Sequence, residues 1–283
     1  MPVPQTRLVI VAAVLILEFL LPSSLRADQQ LAANALLRKV VDNELRAQAQ
    51  DHSRWMYRRK IIAAGKREKG DQESEIIQTK DGDLDRLVSM NGRALTPEQE
   101  AREDERVKRL LNNPNEQRKL QRDREQDAQK SERMLKMLPQ AVIAAYGERR
   151  GELVELTFKP NPGFQPSTHE GQVFHAMEGA IWVNDKQNRL AEISGRLTQE
   201  VKFGLGLLGH LDKGGRFQVK QSEIQPGYWE VTLLNIDMRG RALFFKTIGV
   251  QQHEIRTDFQ RVPDNLTLAQ GAERLRLQTH AAR

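Results

Sequence analysis

The chain has 283 residues, with 44 lysines and arginines against 38 aspartates and glutamates, for a formal net charge of +6. It has no cysteine, which excludes disulfides and thiolate metal sites, so a folded export product must be held by its own core. The positive charge is mild and interleaved with acids, and clusters such as Arg58-Arg59-Lys60 and Lys66-Arg67 are short. A nucleic-acid surface needs a denser basic face, so no nucleic-acid partner is expected.

The N-terminus carries one charge, Arg7, then an apolar run from Leu8 to Leu21 broken only by Glu18, then Pro22, Ser23, Ser24 and Ala27. Charge, apolar run and small residue in that order predict a secretory signal peptide over residues 1–27, cleaved near Ala27. The alternative is an uncleaved anchor. The apolar run falls short of the roughly 20 residues a membrane-crossing helix needs. No cysteine follows the cut to be acylated. The working protein is therefore expected outside the cytoplasm.

From Leu31 to Gln50 the spacing of Ala33, Leu37, Val40, Val41 and Leu45 predicts an amphipathic helix that must lie on something apolar. Trp55–Ile62, Glu75–Thr79 and Leu84–Met90 read as strands, with a hairpin signal at Asp81-Gly82 and a turn at Asn91-Gly92. Thr96-Pro97-Glu98-Gln99 is a capping box opening a helix, and Asn113-Pro114 starts a second that Pro139 is expected to end. These helices are crowded with charge and carry narrow apolar stripes. They read as a solvated insertion over the sheet edge.

Beyond Tyr146 the chain reads as consecutive strands. Ile193, Gly195, Leu197, Val201 and Phe203 share one parity, which predicts one long strand with a buried and a wet face. Phe217 and Val219 alternate with Arg216, Gln218 and Lys220. Pro226-Gly227 and Arg239-Gly240 read as turns flanking a strand from Tyr228 to Met238, and strands at Ala242–Val250 and His253–Phe259 close an antiparallel meander. Residues 264–283 read as a polar tail.

Chemistry-bearing motifs are sparse. Gly204-Leu205-Gly206-Leu207-Leu208-Gly209 matches a dinucleotide pattern, but Lys213-Gly214-Gly215 leaves no room for the helix that should follow it, so a flexible connection between strands is expected. His169 and His175 with Glu170 and Glu178 lack metal-site spacing and are read as surface histidines. No nucleophile elbow or P-loop is present. An enzyme is not expected, and neither is a cofactor or metal. The aromatics Trp55, Trp182, Trp229, Phe203 and Phe217 lie on or beside strands, either as ordinary core or as the lining of a cavity for an apolar ligand.

The run Met177-Glu178-Gly179-Ala180-Ile181-Trp182-Val183, then Arg189-Leu190, Val201-Lys202-Phe203-Gly204, Lys213-Gly214-Gly215-Arg216-Phe217, Tyr228-Trp229 and Gly240-Arg241-Ala242-Leu243-Phe244, resembles the periplasmic lipoprotein-carrier superfamily, the LolA-like lipoprotein-sorting proteins. The resemblance implies an α+β fold: a strongly curved antiparallel sheet, an open half-barrel, with helices over its concave face. That domain would span residues 28–263, with the charged helical insertion at 96–139. It further implies a periplasmic carrier or binding protein for lipid or lipoprotein acyl chains, acting by sequestration. Trp182, Ile193, Leu197, Val201, Phe203, Phe217, Val219 and Trp229 are the expected cavity lining. A cell-envelope structural or interaction module with a filled core is the alternative, and an envelope protein partner fits either reading.

Overall fold

The computed structural model describes residues 23–62, 70–204, 209–242 and 246–281. The apolar run of the expected export signal, Leu205–Leu208 and Leu243–Phe244 lie outside the described residues. Helix α1 (Ser23–Gln50) is followed by strands β1 (Arg54–Ile62), β2 (Gln72–Thr79), β3 (Gly82–Met90) and the short β4 (Arg93–Ala94). Two helices come next, α2 (Pro97–Asn112) and α3 (Pro114–Ala141). Then come β5 (Val142–Arg150), β6 (Leu153–Pro160), the single-turn α4 (His169–Phe174), β7 (Met177–Asn184), β8 (Arg189–Leu197) and the short β9 (Val201–Phe203) and β10 (Gly209–Leu211). The chain closes with β11 (Arg216–Gln225), β12 (Tyr228–Ala242), β13 (Lys246–Val262) and α5 (Leu268–Ala281).

The strands form one 13-stranded antiparallel sheet that does not close, in the order β4-β3-β2-β1-β13-β12-β11-β8-β7-β6-β5, with β10 pairing β12 and β9. It is an α+β fold, an open half-barrel. Most strands follow their sequence neighbours, but β1 pairs β13, so the first and last strands meet in the middle of the sheet. The pairing shifts between Met56 and Arg58, opposite Asp258, whose φ of 59° marks the residue that takes up the irregularity.

Both sheet edges are blunted by side chains from helices. At the β5 edge, Asn34 of α1 accepts from the Ala144 N–H at 2.9 Å. At the β3 edge, Glu103 of α2 accepts from the Leu87 N–H at 2.8 Å and Arg106 donates to the Asp85 carbonyl at 2.5 Å. Exposed edges invite a second chain to pair, and these bonds occupy three of the edge groups that would do so. Burial works to raise the Glu103 carboxyl, but Arg106 and the Leu87 N–H outweigh it and hold it below the usual carboxylate range.

The core has two main parts. In one, Ala33, Leu37, Val40 and Val41 of α1 pack on Leu156, Phe158, Ile181 and Val183 of the sheet. In the other, Met56, Ile77 and Leu84 are covered by Val107 and Leu110 of α2 and by Leu268, Ala272 and Leu275 of α5. The polar tail expected over residues 264–283 is therefore mostly helix. Leu268, Ala272 and Leu275 fall on one face at helical spacing, and that face is buried.

Three further local expectations differ from the structure, and one element is new. Pro139 does not end α3, which runs to Ala141; so near the C-terminus the ring's missing N–H removes only one late bond. The long strand through Phe203 breaks after Leu197, where the Thr198 N–H and hydroxyl turn to the Ala176 carbonyl. The His169–Phe174 turn, capped by Thr168, was not anticipated. Arg239-Gly240 is not a turn: β12 continues through it, and a side chain at Gly240 would overlap the His210 carbonyl of β10, so the glycine serves close strand approach.

Candidate functional site

Pairing register sorts the sheet into faces. Leu156, Ile181, Ile193, Val219 and Leu234 stand opposite one another across five strands and share the helix-covered face. Burial falls along this row, from Leu156 and Ile181, which are fully buried, to Ile193, Val219 and Leu234, which are half-buried. Gly179 and Gly195 face each other one step along; a side chain on Gly179 would overlap the Ser194 carbonyl, and one on Gly195 would come within 2.7 Å of the Phe217 ring. Only glycine allows that close approach.

The residues expected to line a cavity divide into four groups. Leu197 and Val201 are buried, and Ile193, Phe203 and Phe217 are half-buried, in the same apolar cluster as α1. Val219 continues that face beside Leu234. Trp182 pairs with Glu155 and Glu192, whose register places it on the opposite face, under the Arg150 guanidinium 4.4 Å from its ring. Trp229 sits apart, at the β11–β12 hairpin, where its indole N–H donates to Gln187 at 2.9 Å and Arg189 lies 5.5 Å over the ring. The sequence places all these aromatics on strands, but parity within each strand decides their face.

Trp229 belongs to a groove of about 1000 Å³ between the C-terminal end of α1, the middle of α3 and the β11–β12 hairpin. Its walls include Arg54, Arg124, Leu135, Tyr228 and Glu230. Glu44 on α1 forms a two-point bond with Arg189, 2.7 and 3.1 Å, and also accepts from the Leu190 N–H at 2.8 Å. That clamp fixes the helix end over the sheet at the groove's rim. Glu44 is buried where the helix stripe was expected to continue through Leu45, which is only half-buried.

The groove is electrostatically loaded. Burial pushes the Glu230 carboxyl up to about 7, with Arg256 and Arg189 opposing it. On β1, outside the groove lining, burial pushes the Tyr57 hydroxyl up to about 12, while Arg256 stands 5.4 Å over its ring. Desolvation acts to lower the Arg256 guanidinium, but Tyr57, Glu254 and Glu230 outweigh it and raise it. Asp83 is raised by burial against the pull of Arg124 and Arg54. Arg54 is lowered, first by burial and then by the neighbouring Arg124. Arg124 donates to the Thr79 carbonyl at 2.9 Å and lies 3.6 Å from Asp83.

A second groove of similar size, about 1000 Å³, lies on the other face over the two facing glycines. The side chains of Thr157, Ser194, Gln218, Asn235 and His253 form one cross-strand row there. An Arg196–Glu178 ion pair at 2.5 Å flanks the row.

The remaining motifs resolve simply. The glycine-rich segment joins β9 to β10, which pair antiparallel with Phe203 opposite Gly209, so no helix follows it. The His169 ring lies 4.9 Å from Phe203, and His175 lies beside Phe164. Among the described residues, no group of three His, Asp or Glu is placed to hold a metal ion, and no helix is long and apolar enough to cross a membrane. No family model matches the chain, and no curated protein or solved structure matches it either.

The groove residues Arg54, Arg124, Glu230 and the Glu44–Arg189 clamp were not found from sequence. Arg124 reads there as one charge among many on a solvated helix. Glu44 and Arg189 are 145 positions apart with no shared motif.

Proposed function

We propose that this chain is an exported, non-catalytic binding or carrier protein of the cell envelope, whose ligand is amphipathic and bears an acyl chain. One observation carries the reading: an open antiparallel sheet leaves a groove of about 1000 Å³ beneath its helices, and Leu135 belongs both to that groove and to the apolar cluster under α1. The volume suits a small organic ligand. A polar end would sit among the charged side chains near the hairpin, and a chain would run past Leu135 toward Val219 and Leu234. Each buried methylene would contribute about 0.8 kcal/mol. Export rests on the order of Arg7, the apolar run Leu8–Leu21 and Ala27 in the sequence.

A second reading, an envelope interaction module with a filled core, is favoured by the tight seating of α1 on Leu156, Ile181 and Leu197. A fluorescent fatty-acyl probe separates the two. The carrier reading expects saturable binding to delipidated protein, retained at high salt, because apolar burial is not screened as exposed charge is. A folded protein that binds no probe sinks the carrier reading and leaves the module.

A further inference from the structure

Among the described residues, Arg54 is the one guanidinium lining the groove that makes no hydrogen bond or ion pair, and Asp83 and Asp264 act on it only at longer range. Glu44 and Asp264, two acids of the same lining, are bonded to Arg189 and to Arg261, at 2.7 Å in each case. Asp51 accepts from the Ser53 N–H at 2.7 Å. Arg124 is held by Asp83 and the Thr79 carbonyl. The Arg54 Nε is buried with no hydrogen-bond partner. Its backbone carbonyl is fixed by Arg261 at 3.3 Å, so the residue stays at the groove wall with Arg124 as a like-charged neighbour. Two adjacent cations, one of them half-buried with no hydrogen-bonded partner, repel each other, and burial and that repulsion outweigh Asp83 and Asp264 at Arg54, which an entering anion would relieve.

We propose that Arg54 and Arg124 form a subsite for a phosphate-type oxyanion, the polar head of the ligand that the groove holds. This rests on the carrier reading for the ligand's apolar part, but the subsite itself does not need it. A guanidinium fork matches the oxygen spacing of phosphate, and two such groups suit its double charge. The groove is far larger than a bare phosphate, which is why the oxyanion is assigned as the head of a larger molecule. Glu230 lies in the same lining, and with its carboxyl raised to about 7 it is mostly protonated below neutrality and does not oppose an anion there.

The experiment is calorimetric titration of the purified protein with inorganic phosphate, with a short-chain phosphatidic acid kept monomeric, and with the matching diacylglycerol. Arg54→Gln should weaken phosphate and phosphatidic acid by at least about tenfold, the usual cost of a lost charge-assisted bond. Arg54→Lys should fall between Arg54→Gln and the native protein. Arg118→Gln, on the exposed face of α3, should change nothing. Because burial and the repulsion from Arg124 outweigh the longer-range pull of Asp83 and Asp264 on Arg54, Arg54→Gln should unfold at an unchanged or higher urea concentration, which separates lost binding from lost structure. Phosphate binding with no gain for phosphatidic acid keeps the subsite and overturns the acyl reading. Diacylglycerol binding as well as phosphatidic acid, or Arg54→Gln binding both anions normally, overturns the subsite and leaves the acyl reading standing. Absence of binding by all three overturns both.

Discussion

Glu44→Ala should be among the most damaging single changes in the protein. The carboxylate makes three bonds, two to Arg189 and one to the Leu190 N–H, and the two side chains are only 7% and 12% exposed. Removing one member of a buried pair typically costs about 3–5 kcal/mol, mainly because the other charge is left desolvated. Arg189 keeps slight access to water and lies over Trp229, which points to the lower end, about 3 kcal/mol. The stranded Leu190 N–H contributes part of that figure. Urea unfolding followed by circular dichroism would measure it. The double variant Glu44→Leu with Arg189→Met removes both charges and should recover most of the loss, retaining about 1 kcal/mol for the unpaired N–H. Glu148→Ala, which breaks the exposed Arg150–Glu148 pair, is the control and should barely move the midpoint. If Glu44→Ala proves no worse than that control, the clamp does not hold α1 to the sheet.

Leu197→Arg should unfold the protein or cost more than about 3 kcal/mol, since Leu197 is 1% exposed and a charge there has no partner. Thr198→Arg loses the bond to the Ala176 carbonyl and should cost about 1 kcal/mol; equal midpoints for the two variants would mean that the assigned faces are wrong. Leu275→Asp should cost about 3 kcal/mol or more, because α5 covers Ile77 and Leu84, and a melting point like the native one would show that the helix is not docked. Stability should also fall with pH through Glu230. Its carboxyl is raised in the fold to about 7, so between the unfolded value near 4.5 and about 7 the folded state holds a proton that the unfolded state has lost. The Glu230 contribution is full below the unfolded value, declines by about 3 kcal/mol across that window and is constant above it. Glu230→Gln should flatten the decline, and an unchanged pH profile in that variant would assign it to another group.

Most strands were legible because period-2 alternation and turn residues are local signals. Thr96 and Gln99 form the capping box as their spacing implies, with bonds of 3.3 and 2.9 Å. The failures come from tertiary demands that override local ones. Arg239-Gly240 looks like a turn because glycine usually marks one, yet here the glycine is needed for β10 to lie close against β12. The α5 stripe of Leu268, Ala272 and Leu275 was present in the sequence but thinly spread among charges, and only the apolar surface of Met56, Ile77 and Leu84 gives it a reason to fold down. The β1–β13 pairing has no local signature: Trp55 and Arg261 are neighbours across the whole chain.

The groove was harder to see because its residue types are the ones that normally mark a solvated surface. Arg54, Arg124 and Glu230 sit in stretches that read as polar, and on sequence grounds each belongs in water. Their environment changes because segments far apart in the chain meet at one groove: β1 brings Arg54, α3 brings Arg124, and the β12 start brings Glu230. No window of sequence contains that convergence. The apolar residues named as a lining were the easier signal, and they are largely occupied by α1. Open space remains where charge is left over. On the proposed reading, a ligand is to be sought by its anionic end first and by its chain second, and the contrast between phosphate, phosphatidic acid and diacylglycerol orders those two contributions directly.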